Sequence, residues 1–194
     1  MTAFKIHTAD NAPEKSREIL KSLQAKLGFV PNVLGEIAES PALLKGWWEL
    51  SAAAQMGKFT PVEIQIVQIE ASRLSDCGYC VAAGTTLGEK TGVPREVLNA
   101  LREDKPLADA KLESLRQFTR TVMKKMGRAE PRDIDAFIKA GYSHEHVMEV
   151  VLHMASKLIT NTVNHMAATP LDKPFEPNRF EERHPRKDAS RSAA

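Results

Sequence analysis

The sequence contains no apolar run of the roughly 18 residues that a membrane-spanning helix requires. Its first twenty residues, MTAFKIHTADNAPEKSREIL, also lack the apolar core of a secretory signal peptide. An excess of one charge is missing as well, because 27 Lys and Arg stand against 25 Asp and Glu, for a formal net charge of +2. The composition therefore gives no reason to expect a membrane or nucleic-acid partner, and we expect a cytoplasmic protein.

Cysteine is scarce: the chain has two among 194 residues, Cys77 and Cys80, both in the stretch SDCGYCVAAG. A structural disulfide is not expected in a reducing compartment, so the C-x-x-C spacing indicates redox activity or metal binding. No glycine-rich loop of the nucleotide-binding kind links a strand pattern to a helix. The nucleophile elbow of serine hydrolases is missing too. We therefore predict that the protein uses no cofactor.

Helical signals dominate the chain. The segment VEIQIVQIE alternates apolar and polar residues like a strand, but Thr60, Pro61 and Glu63 form a capping box with proline at the first helical position. We predict a single all-α domain over residues 1–175, followed by a polar, flexible tail over residues 176–194. The predicted helices cover approximately residues 13–27, 41–56, 61–70, 77–90, 96–102, 109–126, 133–140 and 145–168, and a short helix is possible between the first two.

The predicted helix start at Cys77 suggests why these thiols could react. Helix N-termini carry unpaired N–H groups and a positive partial charge, which favour a thiolate over a thiol. In C-x-x-C motifs the pKa of a cysteine falls from about 8.5 to about 7 or lower. A thiolate can attack a peroxide oxygen to give a sulfenic acid, which the second cysteine converts into a disulfide.

Two other interpretations of the cysteine pair stay open. One is an inert buried pair, because free cysteine is among the most buried residue types. The other is a zinc site, which would need two more ligands such as His144 and His146. A separate stripe of His146, Glu149 and His153 shares one helix face. Such stripes are more often a polar helix surface or a subunit contact, so we predict no metal.

The run SRLSDCGYCVAAGTTLGEKTGVP resembles the core of the alkylhydroperoxidase D (AhpD-like) and carboxymuconolactone decarboxylase superfamily, which typically reads S-R-x-N-x-C-x-Y-C-x-x-A-H. LGFVPNVLGEIAESPALL upstream and NTVNHMAATPLD downstream look like its peroxidase-related branch, so the resemblance covers about residues 27–175. It implies an AhpD-like helical bundle that assembles into dimers, trimers or hexamers. It also implies that the cysteine pair reduces an organic hydroperoxide with electrons from a thiol or disulfide-bearing protein reductant.

This sequence departs from the family pattern at two positions. In the family's peroxidases a glutamate on the preceding helix and a histidine four residues after the second cysteine relay protons. The matching positions here are Gln65 and Gly84, and neither residue can accept a thiol proton near neutral pH. We select Glu70, on the same preceding helix, and His165, on the last helix, as replacement candidates. Otherwise the helix terminus alone supports slower chemistry, or the protein has another role.

Together these features predict a thiol-dependent alkyl hydroperoxide reductase or disulfide oxidoreductase that serves antioxidant defence. Cys80 is the favoured attacking thiol because position 84, where the family keeps its histidine, lies one helical turn after it. The helix dipole alone would favour Cys77 instead. Two alternatives remain: a carboxymuconolactone decarboxylase-like lyase, and a non-enzymatic oligomer that senses oxidants through its disulfide.

Overall fold

The structure is a computed structural model that describes residues 4–184. Over this range the chain forms helices and no strand, which confirms the predicted all-α class. The α-helices are α1 (Glu14–Leu27), α2 (Asn32–Ile37), α3 (Pro41–Ala54), α4 (Pro61–Leu74), α5 (Gly78–Lys90), α6 (Arg95–Arg102), α7 (Ala110–Lys124), α8 (Pro131–Lys139) and α9 (His144–Ala167), and a 3₁₀ helix covers Lys173–Asn178. Within residues 4–184, no helix has both the length and the apolar character needed to cross a bilayer.

Helix α4 contains the segment whose alternating pattern resembles a strand. The Thr60 hydroxyl accepts a hydrogen bond from the Glu63 N–H at 3.3 Å, and the Glu63 carboxylate accepts one from the Thr60 N–H at 2.9 Å, so the predicted capping box is present. Residues on most sides of α4 are buried, because the helix packs against α5, α7 and α9. A helix buried on most of its surface needs no single apolar stripe, which explains the misleading alternation.

Two apolar clusters form the interior. One joins α1, α2 and α3 to the start of α5 and to the 3₁₀ helix, and it contains both cysteines. The other joins α4 to α6, α7, α8 and the first half of α9. The cysteine pair therefore lies in the core at the point where α5 begins, and the second half of α9 packs against it.

Residues 176–184, the part of the predicted tail that the structure describes, contact the helical domain. Asn178 is buried, and Arg102 of α6 donates hydrogen bonds to the carbonyl oxygens of Asn178 and Arg179 at 2.9 and 3.0 Å. The Asn178 amide donates to the Thr86 hydroxyl on α5 at 3.1 Å. These attachments are polar and irregularly spaced, so a sequence reading based on apolar periodicity does not detect them. The rest of the predicted tail, residues 185–194, lies outside the described residues.

Candidate active site

The cysteine turn forms where α4 ends and α5 begins. Asp76 adopts a left-handed backbone conformation (φ 56°), which turns the chain, and Cys77 becomes the N-cap residue of α5. The Cys77 Sγ accepts a hydrogen bond from the Cys80 N–H at 3.3 Å, which is the role that Ser or Asp usually plays at this position. Both cysteines are free thiols. The predicted helix start at the C-x-x-C motif is therefore confirmed.

Helix α9 supplies the polar contacts of the Cys80 sulfur. The Asn164 side-chain amide donates a hydrogen bond to Cys80 Sγ at 3.1 Å. The Thr160 hydroxyl oxygen lies 3.8 Å from the same sulfur. Lys157 stands one turn before Thr160 on α9 and contributes a positive charge to the site. These three side chains surround Cys80 with groups that favour a negative sulfur.

The two thiols differ strongly in acidity. Burial raises the pKa of Cys80, but a hydrogen bond from the Cys77 thiol, the charge of Lys157, and the contacts with Thr160 and Asn164 outweigh it and lower this pKa to about 6. The pKa of Cys77 is raised, first by its hydrogen bond to Cys80 and then by burial. The pair therefore holds a thiolate on Cys80 and a proton on Cys77 near neutral pH.

Both cysteines are buried, with 0% and 1% of Cys77 and Cys80 exposed. The segment of residues 180–184 covers the N-terminus of α5 next to them. The Glu182 carboxylate accepts a hydrogen bond from the Gly78 N–H at 2.9 Å, and a Cβ added at Gly78 would lie 2.6 Å from the Phe180 carbonyl oxygen. Only glycine fits under this segment without a shift of the backbone. An oxidant can reach the sulfur atoms only when neighbouring groups move.

The two positions that correspond to the family's proton relay are neighbours in space. A Cβ added at Gly84 would lie 3.7 Å from Gln65 Oε1. Gln65 is buried, and within the described part of the chain its Oε1 has no hydrogen-bond partner. The same Cβ would lie 3.0 Å from Ile69 Cγ1, so a larger residue at position 84 requires Ile69 to give way. The two positions are thus adjacent in this structure, and neither carries an ionisable group.

Glu70 is completely buried and surrounded by arginines. Its Oε1 accepts hydrogen bonds from Arg73 at 3.1 Å and from Arg120 at 2.8 Å, and its Oε2 accepts one from Arg116 at 3.2 Å. Three guanidinium groups therefore occupy both oxygens of this carboxylate. In residues 4–184, Glu70 has no hydrogen bond to either cysteine, so the structure does not bring this candidate to the sulfur atoms.

His165 lies close to the cysteine turn. Its Nε2 is 2.8 Å from the carbonyl oxygen of Ser75, two residues before Cys77. At this distance Nε2 donates the hydrogen bond, because a carbonyl oxygen can only accept. His165 thus contacts the backbone of the turn, and its catalytic role stays a prediction.

Three side chains of α9 that act on Cys80 were not expected from the sequence: Asn164 and Thr160 lie beside its sulfur, and Lys157 adds a positive charge. Lys157, Thr160 and Asn164 follow one another at spacings of three and four residues, so they share one face of the helix. That spacing was visible in the stretch leading into NTVNHMAATPLD. A further missed contact is the hydrogen bond from the Tyr79 hydroxyl to Asp172 Oδ2 at 2.5 Å, which attaches the cysteine turn to the loop before the 3₁₀ helix.

The histidine and glutamate stripe on α9 faces the interior rather than the expected surface. Glu149 and His153 are buried. The Glu149 carboxylate accepts hydrogen bonds from the N–H groups of residues 58 and 59 at 2.8 and 3.1 Å, and thereby holds the loop before α4. His146 Nδ1 accepts a hydrogen bond from the Ser143 N–H at 3.1 Å. Across residues 4–184, no three His, Cys, Asp or Glu side chains lie together as a metal site requires.

Several solved structures share this architecture. The chain matches an uncharacterised peroxidase-related protein with an alkylhydroperoxidase AhpD core from Ralstonia eutropha JMP134, with a TM-score of 0.80 and 19% identity over 89% of this chain and 93% of the other. This chain has the AhpD-like fold. An uncharacterised peroxidase-related protein from Silicibacter sp. TM1040 matches with a TM-score of 0.76 and 20% identity over 90% and 93% of the two chains.

The AhpD-like fold also occurs in the debrominase Bmp8, which matches with a TM-score of 0.68 and 18% identity over 85% of this chain and 90% of the other. No protein-family model and no curated protein sequence matches the chain. At these identities the likeness shows the fold, and it confirms the predicted AhpD-like bundle.

Proposed function

We propose that this AhpD-like protein is a thiol-dependent oxidoreductase that reduces organic hydroperoxides through Cys80 and Cys77. The supporting observation is the environment of Cys80 Sγ, which accepts the Asn164 amide N–H at 3.1 Å and has a pKa lowered to about 6. At neutral pH Cys80 is then largely thiolate, while Cys77 keeps its proton. A nucleophilic sulfur beside a second thiol is what a peroxide-reducing dithiol requires.

In the proposed first step the Cys80 thiolate attacks one oxygen of the hydroperoxide ROOH. An S–O bond forms, the O–O bond breaks, and the departing alkoxide takes the proton of Cys77 to leave as ROH. Cys77, now a thiolate, attacks the sulfur of the Cys80 sulfenic acid, which forms the disulfide and releases hydroxide. A dithiol protein reductant then returns the disulfide to two thiols. In this scheme Cys77 supplies the proton that the glutamate and histidine relay supplies in the family's peroxidases.

The test is consumption of cumene hydroperoxide by the full chain with dithiothreitol as reductant. We expect Cys80→Ser to lose turnover completely. In a single turnover without dithiothreitol, Cys77→Ser should consume at most one equivalent and leave a sulfenic acid that dimedone traps. Unchanged turnover in Cys80→Ser would exclude the proposed attack by this thiol. Reversible disulfide formation without turnover would favour the redox sensor.

Rebuilding the relay sharpens the test. The double variant Gln65→Glu/Gly84→His places an acid and an imidazole at adjacent positions, and general acid–base catalysis typically contributes about 10²–10⁴-fold. We expect peroxide turnover to rise. Gly84→Ala is the matched control, because it adds the Cβ that meets Ile69 without adding an ionisable group. Equal rates in both variants would contradict the relay argument.

Reductive dehalogenation is a second candidate function. One solved structure with this fold is a cysteine-to-alanine variant of the debrominase Bmp8 in complex with 2,3,4-tribromopyrrole, at a TM-score of 0.73 and 17% identity over 92% of this chain and 96% of the other. Two thiols can supply the electrons that convert a C–Br bond into C–H and bromide while a disulfide forms. Bromide release from a bromopyrrole by wild type, and its loss in Cys80→Ser, would favour this candidate over peroxide reduction.

We also propose that the chain forms a homo-oligomer through the outer face of α9. This helix carries three large apolar side chains that are mostly exposed: Met148 (65%), Val151 (52%) and Leu158 (68%). An exposed apolar stripe of this kind is typical of a subunit contact. Light scattering should give a multiple of the chain mass, and Leu158→Lys should lower it. Met126→Lys, at an exposed apolar residue after α7, should leave it unchanged.

A further inference from the structure

A basic surface pocket lies at the C-terminal ends of α4 and α7. It has a volume of about 330 Å³, within the size range of small-molecule sites. Its wall contains four cationic side chains, Arg73, Arg120, Lys124 and Arg183, and one carboxylate, Asp104; two apolar side chains complete it. Such a concentration of positive charge stands out in a chain whose formal net charge is only +2.

Arg73 has an unused hydrogen-bond donor in this wall. Its side chain is 7% exposed, and it is paired with Glu70 at 3.1 Å and with Asp104 at 2.8 Å through the same terminal nitrogen. The Nε–H of Arg73 is buried and has no acceptor among residues 4–184. A buried donor without a partner is unfavourable, and the penalty is larger when the group is charged. An anion in the pocket would provide the missing acceptor.

Two further cations complete the basic surface of the pocket. Lys124 is the last residue of α7 and has no ion-pair partner in the range 4–184, whereas its neighbour Lys125 is paired with Glu130 and Asp133 at 3.2 and 2.8 Å. Arg183 reaches the pocket from the C-terminal segment and donates to the Arg73 carbonyl oxygen at 3.1 Å. Lys124 is therefore available for a ligand without the loss of an existing contact.

Asp104 occupies the pocket as an internal anion. One of its oxygens accepts contacts from Arg73, Arg116 and Arg120. In contrast to the fully buried Glu70, its side chain is 45% exposed. Its backbone is left-handed (φ 59°), which is unfavourable for a residue other than glycine. Asp104 is thus an exposed carboxylate, held in a strained conformation, at the place where an external anion would meet the arginines.

We propose that this pocket binds the phosphoryl group of a small phosphorylated ligand, in competition with the Asp104 carboxylate. Planar guanidinium groups present pairs of N–H donors that match phosphate oxygens, and Lys124 adds a point charge. A phosphate dianion can satisfy more of the converging donors than a single carboxylate can. This site is independent of the cysteine chemistry, because neither sulfur atom takes part in it.

Isothermal titration calorimetry of the full chain at low salt tests the proposal, with inorganic pyrophosphate, inorganic phosphate and acetate as probes. We expect pyrophosphate to bind most tightly, phosphate more weakly and acetate not measurably. Lys124→Gln should weaken pyrophosphate binding about tenfold, since hydrogen bonds to charged groups are of that strength. Lys125→Gln is the matched control with the same loss of charge one residue away, and it should change binding less than twofold.

The Asp104→Asn substitution should change pyrophosphate affinity in the opposite direction from Lys124→Gln. Removal of the competing negative charge should tighten pyrophosphate binding several-fold, although the change removes contacts from three arginines. A purely structural role of the cluster predicts weaker binding, or none, in this variant. Circular dichroism establishes whether the variant folds, and if it does not, the comparison of Lys124→Gln with Lys125→Gln decides alone.

Three results would overturn the proposal: no pyrophosphate binding at millimolar concentration, equal effects of Lys124→Gln and Lys125→Gln, or acetate binding as tight as phosphate. Cys80→Ser should bind pyrophosphate like the wild type. The anion site and the thiol chemistry can therefore fail separately.

Discussion

Gln65 and Glu70 lie five residues apart on α4 and are both buried, but their surroundings differ completely. Gln65 is neutral and faces Gly84 on α5, and its Oε1 has no hydrogen-bond partner in the range 4–184. Glu70 faces α7, and its carboxylate accepts hydrogen bonds from three arginines. Burial of a charge is tolerated where opposite charges surround it, and α4 has such partners on one side only. Of these two buried positions, the one that carries an acid is thus the one with a salt-bridge network.

The same contrast separates Glu70 from Cys80. Glu70 is held by full opposite charges, whereas the Cys80 sulfur is held by an amide N–H, a hydroxyl, a thiol and the charge of Lys157. A strongly paired anion is stable and unreactive. A thiolate attacks best when its pKa lies near the ambient pH, because nucleophilicity falls as the pKa falls. The weaker, mostly neutral contacts of Cys80 suit an anion that has to react.

The largest effect expected from this comparison is on stability. Glu70→Gln leaves three arginines without their buried carboxylate, and such changes typically cost about 3–5 kcal/mol of unfolding free energy. Gln65→Leu removes a side chain whose oxygen is already unsatisfied, so its cost should stay below about 1 kcal/mol. Urea denaturation at pH 7 measures both. Similar losses in the two variants would mean that the arginine network does not carry the stability assigned to it.

The second effect is a pH dependence of stability. Because the pKa of Cys80 is lowered from an ordinary value near 9 to about 6, the unfolded chain binds more protons than the native one between these values. The stabilising contribution of Cys80 to the unfolding free energy is therefore complete above pH 9, and it is lost as the pH falls through 6. Because the pKa of Cys77 is raised, this residue makes the unfolding free energy fall as the pH rises, but only above pH 9.

The difference in unfolding free energy between wild type and Cys80→Ser should accordingly grow from pH 6 to pH 9. Urea denaturation at several pH values in this window measures it, and the serine variant provides the baseline for all other titrating groups. Parallel curves for the two proteins would show that Cys80 is not an acidic thiol in the folded chain.

Most of the fold could be predicted from local signals in the sequence. The expected capping box at Thr60 starts α4, and the side chains of Ser40 and Asp109 likewise cap the N-termini of α3 and α7. The start of a helix at the cysteine pair was equally local, since Cys77 itself caps α5. These features depend on residues within one turn of each other, which is the distance over which sequence patterns are informative.

The site was harder to predict because it combines distant residues. Successive residues turn by about 100° on a helix, so Glu70 points roughly 140° away from Gln65 and cannot share its neighbours. That rotation explains why Glu70 contacts arginines while Gln65 faces Gly84. Asn164 lies 84 residues from Cys80, and the packing of α9 on α5 brings the two side chains together. No local pattern encodes that packing.

A third prediction concerns Asn164, whose amide lies closer to the Cys80 sulfur, at 3.1 Å, than the Thr160 hydroxyl does at 3.8 Å. Asn164→Ala removes the amide N–H donor to Cys80 Sγ and should raise the pKa of Cys80 by about one to two units, the equivalent of one hydrogen bond to a charged group. The pH dependence of alkylation by iodoacetamide measures this pKa. Asn161→Ala is the matched control, because Asn161 is a buried asparagine one turn earlier on α9. A shift of the same size in both variants would point to general loosening of α9.

The smallest effect expected is that of Lys157. It acts on Cys80 through its charge, while Asn164 acts by direct contact, and charge effects of partly exposed groups are weakened by solvent and salt. Lys157→Gln should therefore raise the pKa of Cys80 by only a few tenths of a unit at low salt, and the difference from wild type should shrink as salt is added. Lys157→Arg keeps the charge and should behave like the wild type. A salt-independent shift, or one that arginine does not prevent, would mean that Lys157 influences Cys80 through packing, and the cysteine site would then depend on neutral hydrogen bonds alone.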